Sequence, residues 1–152
     1  MRFEQTRAIL QNLVPNYHRT VSDHYQTMLD GDVSPRVQLM LDYLIDHEQH
    51  RALALGEYCR DAKPHVLDYW FKGLEINFPE ARKDVLGDAA RTDLDQLIKS
   101  EVSYKNSLLD YFAHLLDHCT SKETTDLFQT LKNQEEKAMK RMIRHSQGLA
   151  DL

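Results

Sequence analysis

Two short connections and one long one separate the long helical patterns of this chain, and that spacing leaves few ways to fold it. The first pattern runs from about Phe3 to Leu29 and stops at the turn Asp30-Gly31-Asp32. Ser34-Pro35 then supplies an N-cap and a proline at the first helical position for a second pattern, which reaches about Asp61 before Pro64 ends it. A third runs from about Arg91 to Cys119, and Thr120-Ser121 with Glu123 can cap a fourth that continues to the end of the sequence. Pro15 lies inside the first pattern and either kinks it or marks its true start.

A connection of a few residues forces its two helices into an antiparallel hairpin. The middle connection, from about Ala62 to Ala90, is long enough to traverse a bundle, because helices of about 28 residues extend only ~42 Å. Within it, His65 to Ile76, with Trp70 and Phe71, is expected to form a short helix. The second and third long helices then run parallel. Glycine and proline are few (5 and 4), and Val, Ile and Thr never gather into alternating runs, so sheet is not expected. The expected fold class is all-α, with two antiparallel hairpins joined by a long crossover, in a single domain over residues 1–152.

Charge and hydropathy exclude several partners. A net charge of -5, with Lys and Arg interspersed among Asp and Glu, gives no basic field for a phosphate backbone, so nucleic acid is not expected. No apolar stretch approaches the ~20 residues of a membrane span, and MRFEQTRAIL lacks the apolar block of a signal peptide. A cytoplasmic protein without a membrane partner is expected. Cys59 and Cys119 fall on apolar faces near helix ends and are expected to stay reduced. With parallel helices, Glu101 to Cys119 spans about seven residues more than Glu48 to Cys59, ~10 Å of rise, too far for a disulfide.

Placing residues at about 100° per step brings charged groups onto apolar stripes. On the second helix, Val37, Met40, Leu41, Leu44, Leu55, Tyr58 and Cys59 define the stripe. Glu48 lies within about 20° of its centre and Arg51 within about 40°, with His47 at the edge. The third helix carries Glu101 and Lys105, one turn apart, among Leu94, Ile98, Leu108, Phe112 and Leu115. Glu135 and Ala138 point inward from the fourth. On the first, Leu10, Val14, Tyr17, Val21, Tyr25 and Met28 face inward, and His18 sits off centre by about 60°. Counted from the short turns, His18, Glu48, Glu101 and Glu135 share one axial height. Buried carboxylates need a partner, so bound metal, protonation, or Arg51 and Lys105 must neutralise them.

At these positions the chain resembles the ferritin-like superfamily, in outline its rubrerythrin-type members, across all four helices. The resemblance implies a four-helix bundle, a homodimer, and a centre in which two helices each give a Glu and two each give Glu-x-x-His around two iron or manganese ions. The second-helix pair would fall on Glu48 and Arg51, the third-helix acid on Glu101, the fourth-helix pair on Glu135 and Ala138, and the first-helix acid at or near His18 or Val21. Arginine stays protonated and alanine has no donor, so both ligand histidines of the pattern are missing. Two readings follow. In one, Glu48, Glu101, Glu135, His18 and His47 hold iron or manganese for redox or oxygen chemistry. In the other, Arg51 and Lys105 balance the three acids as a metal-free ion cluster inside a helical binding or assembly module whose protein partner the sequence does not identify.

Other constellations carry less. His114 and His118 have the spacing of a metal-binding pair but lie opposite Leu108, Phe112 and Leu115. His145 is expected at the inward edge of the fourth helix. Asp68-Tyr69-Trp70-Phe71 is expected to cap the bundle or to anchor a second subunit. Glycine-rich phosphate loops, nucleophile elbows and Cys-x-x-Cys pairs do not occur, so nothing in the motifs supports nucleotide hydrolysis, acyl transfer or dithiol exchange.

Overall fold

The computed structural model describes residues 2–152. It is 77% helical, with a small two-stranded sheet. In chain order, β1 (Arg2–Gln5) leads into the short helix α1 (Thr6–Ala8), a π-helical turn over Ile9–Leu13, and α2 (Val14–Leu29). Next come α3 (Pro35–Asp61), α4 (Pro64–Leu67) and β2 (Trp70–Leu74). Two 3-10 turns, Lys83–Val85 and Asp88–Arg91, precede α5 (Leu94–Asp117) and α6 (Lys122–Ala150). Among the described residues, no helix is long and apolar enough to cross a membrane.

Helix boundaries follow local chemistry. Ser34 caps α3 by accepting from the Val37 amide, with Pro35 at the first helical position, where its missing N–H costs nothing. Ser121 caps α6 in the same way through the Thr124 amide. Glu123 instead meets His65 at 2.6 Å, tying α6 to α4. The α5 helix starts later than Arg91, because Asp93 takes the Asp95 and Gln96 amides at 3.0 and 3.4 Å while Arg91 closes a 3-10 turn. Pro15 does not break the first helix. The turn before it widens, the Val14 amide reaching back five residues to the Ile9 carbonyl, and this loosens the helix where the proline ring would crowd it.

The segment expected as a short helix over His65 to Ile76 is a helix only at Pro64–Leu67. Trp70–Leu74 is a strand, paired antiparallel with β1 so that Gln5 faces Trp70 and Glu4 faces Phe71. The first helix accordingly begins at Thr6 rather than near Phe3, and the chain is helical with a two-stranded addition. Phe71 is buried between the exposed Trp70 and Lys72, and Leu74 is buried as well because the pairing skips Gly73, whose φ is +71°. Phe71 packs edge-on against Phe128 of α6 with ring centroids 5.4 Å apart. The aromatic run thus secures the chain's start to the helical core through Phe71, not Trp70.

A single cluster of buried apolar side chains joins the long helices, from Ile9 and Leu10 through Leu44 and Leu108 to Met142. The α2 helix packs along α3, and α5 along α6. Between β2 and α5 the chain crosses the α2 and α5 side. Phe78 is held between Tyr17 and Tyr111, the Tyr104 hydroxyl donates to the Arg82 carbonyl at 2.8 Å, and Ser100 donates to Val85 at 3.2 Å. Cys59 and Cys119 are free thiols.

Candidate functional site

Each long helix sends at least one ionisable side chain into the middle of this core. His18 comes from α2, Glu48 from α3, Glu101 and Lys105 from α5, and Glu135 from α6; none is more than 2% exposed. Arg51, one turn after Glu48, enters from the edge. Burying so many charges is tolerable only if they satisfy one another, since an unpaired ion in the interior costs several kcal/mol.

Lys105 is the hub. Its Nζ donates to Glu135 Oε2 at 2.9 Å, lies 3.2 Å from Glu48 Oε1, and is 4.0 Å from Glu101 Oε1. Glu135 also accepts from Arg51 Nε at 3.0 Å. His18 bridges α3 and α6: its Nδ1 is hydrogen-bonded to Glu48 Oε2, and its Nε2 is 3.1 Å from Glu135 Oε1. The second contact is close but poorly aligned, so it is an ion-pair attraction rather than a satisfied hydrogen bond. Tyr25 donates its hydroxyl to Glu101 Oε2, and Tyr17 donates to the Tyr104 carbonyl at 2.6 Å.

The protonation states follow from this geometry. Burial alone would raise Glu135, but Lys105, His18 and Arg51 outweigh it and hold the group well below the usual carboxylate range. Burial likewise opposes Glu48, and Lys105 and His18 again prevail to hold it down. Glu101 goes the other way. Burial and the neighbouring Glu48 carboxylate push it well above the usual range, so it carries the proton that the two acids share. Burial disfavours the charged forms of His18 and Lys105, yet the surrounding carboxylates raise both. The centre is therefore Lys105, His18 and Arg51 as cations, Glu48 and Glu135 as anions, and Glu101 as a neutral acid.

The structure brings together His18, Glu48, Arg51, Glu101, Lys105 and Glu135. His18, expected off centre by about 60°, is fully buried and reaches both Glu48 and Glu135. His47 remains at the edge. Its ring lies parallel to Tyr43 at 6.2 Å, its buried Nε2 has no hydrogen-bond partner, and burial together with Lys105 pushes its pKa down to about 4. Ala138 is buried and contributes no polar group. His114 and His118 lie tilted against each other with ring centroids 4.3 Å apart, away from the centre. His145 is exposed, lying over Tyr43 at 4.1 Å, so its expected place at the inward edge is corrected. Tyr25, an apolar-stripe residue by its spacing, is part of the site. A tyrosine deep in a core needs a partner for its hydroxyl, and that is the signal that could have identified it.

The donor set does not fit the two-cation centre that the resemblance implies. Glu135 is already shared among Lys105, Arg51 and His18, and the Lys105 ammonium lies among the three carboxylates where cations would have to sit. Among the described residues, no three histidine, cysteine or carboxylate side chains are arranged to hold a metal ion. Compared with protein-family models, curated proteins and solved structures, the chain matches none.

Proposed function

We propose that the chain is a ferritin-like four-helix bundle acting as a helical binding or assembly module, with the Lys105 ammonium standing where the family it resembles holds metal. One observation carries this reading: a single nitrogen, Lys105 Nζ, approaches carboxylates of α6, α3 and α5 at 2.9, 3.2 and 4.0 Å. Its charge satisfies the acids, and it offers no open coordination position to a substrate. The topology of the resemblance has its own support. Tyr17 meets Tyr104 and Tyr25 meets Glu101, so α2 and α5 run in opposite directions. The short turn before Pro35 makes α3 antiparallel to α2, which leaves α3 and α5 parallel, as a long crossover requires.

Such a cluster adds little net stability, but it fixes how four helices register. Leu39 and Leu53, both exposed on α3 and about four turns apart, share a face on which a second copy could pack, in line with the homodimer that the resemblance implies. A second reading, iron or manganese at the same centre, is favoured by two buried imidazole nitrogens that lack hydrogen-bond partners, His18 Nε2 and His47 Nε2. That reading requires Lys105 to withdraw.

Metal content and thermal melts separate the two. Protein purified without chelator is expected to carry substoichiometric metal that Glu48→Ala and Glu101→Ala do not change. Lys105→Met should lose ~3 to 5 kcal/mol, the cost of leaving buried charges unpaired, whether or not iron or manganese is added. Stoichiometric metal that Glu48→Ala abolishes would establish the second reading. An unchanged melting temperature for Lys105→Met in both conditions would remove the ion cluster.

A further inference from the structure

On the side where α3 meets α6, Arg51 leaves the core and enters a cleft of about 320 Å³. Lys137 and Arg141, one turn apart on α6, face it from the opposite wall, with Tyr58 and Gln134 as neutral polar groups and Leu131 in the apolar floor. No acid lines this cleft, although acidic residues outnumber basic ones, 24 to 19, over the whole chain. Among the described residues, neither Lys137 nor Arg141 has a carboxylate within ion-pair distance. Arg51 uses only its Nε, on Glu135, which leaves both terminal nitrogens without a hydrogen bond. Lys137 and Arg141 thus leave two positive charges to be met from outside, since the Glu135 carboxylate behind Arg51 is already shared with Lys105 and His18.

We propose that this cleft binds a small organic phosphate, its dianionic phosphoryl group held by Arg51, Lys137 and Arg141 and its apolar part resting against Leu131 and Leu55. A guanidinium whose Nε is fixed by a carboxylate presents its two terminal nitrogens as a preset fork, the geometry that recognises phosphoryl oxygens. A dianion matches the two uncompensated charges, whereas a monocarboxylate leaves one unmet. The volume lies at the small end of ligand pockets, enough for a phosphate with a compact apolar substituent. The anion would also complete the centre's electrostatics, since His18, Lys105 and Arg51 outnumber the ionised Glu48 and Glu135.

This inference extends the binding-module reading by naming a ligand class, and it fails separately, because the cleft stands whatever occupies the centre beside Lys105. The test is thermal shift and titration calorimetry of the full chain with phenyl phosphate, inorganic phosphate and phenylacetate, each at ionic strength matched with sodium chloride. Phenyl phosphate should give a saturable stabilisation, stronger than inorganic phosphate and much stronger than phenylacetate. Lys137→Gln with Arg141→Gln, both at exposed positions that leave folding intact, should weaken phenyl phosphate by at least ~10-fold. Arg51→Lys should weaken it too, by losing the fork. A response equal to that of sodium chloride, or one that the double variant leaves unchanged, overturns the proposal. So does phenylacetate binding as tightly as phenyl phosphate.

Discussion

Replacing Glu101 with glutamine should make the protein more stable above neutral pH and leave it almost unchanged near pH 5. The folded chain holds a proton on Glu101 because burial and the Glu48 carboxylate raise its pKa well above 4.5, while the unfolded chain releases that proton near 4.5. Between those two pKa values the folded state binds one more proton, so stability falls as pH rises, by ~1.4 kcal/mol per pH unit. His18, raised by Glu48 and Glu135 against the effect of burial, adds a second such proton. Its contribution is complete below about 6.5 and is lost as pH rises through its folded pKa. His47 works in the opposite direction. Lowered to about 4 by burial and by Lys105, it costs stability as pH falls from 6.5 to 4, which offsets Glu101 over that range. His24, also lowered by burial, adds to this, so wild type should be level or gently rising between about pH 4.5 and 6.5 and then fall by up to ~2.7 kcal/mol per unit while Glu101 and His18 both keep their protons. Glutamine reproduces the shape of the protonated acid: it can accept from Tyr25 and donate to Glu48. In Glu101→Gln the alkaline limb should fall only half as steeply, at ~1.4 kcal/mol per unit. Urea unfolding from pH 5.5 to 8.5, with m checked for constancy, measures this. Parallel curves for the two proteins would mean that Glu101 is ionised when folded and that the assigned proton is wrong.

Three further outcomes follow from named contacts. Tyr25→Phe removes the donor to Glu101 Oε2 and should cost ~1 to 3 kcal/mol in urea unfolding, the penalty of a buried acceptor left unpaired. Asp93→Ala removes the side chain that accepts two amides at the start of α5, and should cost ~1 kcal/mol while Asp93→Asn costs much less. Gly73 has φ +71° within β2, so Gly73→Val should cost more than ~1 kcal/mol and speed amide exchange in the paired strand over residues 2–5.

What could be read from the chain divides along the range of the interactions. Helix ends were legible because a cap is local: Ser34 and Ser121 each accept from an amide three residues ahead, and Pro35 and Pro64 constrain the backbone where they stand. The inward faces of α3, α5 and α6 were legible for the same reason, since a straight helix keeps its phase and puts Glu48, Glu101, Lys105 and Glu135 on the stripe. The strand pair was not, because Glu4 and Phe71 are partners across more than sixty residues, and nothing near Trp70–Leu74 announces a partner at the start of the chain. Phe71 and Leu74, the inward residues, are three apart, which is the spacing of a helical face rather than of an alternating strand.

The pairing within the centre was hidden for a different reason. Helical phase says that three acids and two cations face one another, but which oxygen meets which nitrogen depends on interhelical rotations of a few degrees, and those are set by the whole core. Glu101 shows the consequence. It sits one turn from Lys105 on the same helix and would be expected to take the ammonium, yet Nζ lies 4.0 Å away and closer to Glu135 and Glu48 on neighbouring helices. A long side chain on a helix projects across to the facing elements as readily as along its own, so sequence neighbours at one-turn spacing are competitors for a cation rather than its assured partners. The acid that loses this competition keeps a proton and finds a tyrosine. That is why Tyr25, an apolar-stripe residue by its spacing, belongs to the polar centre.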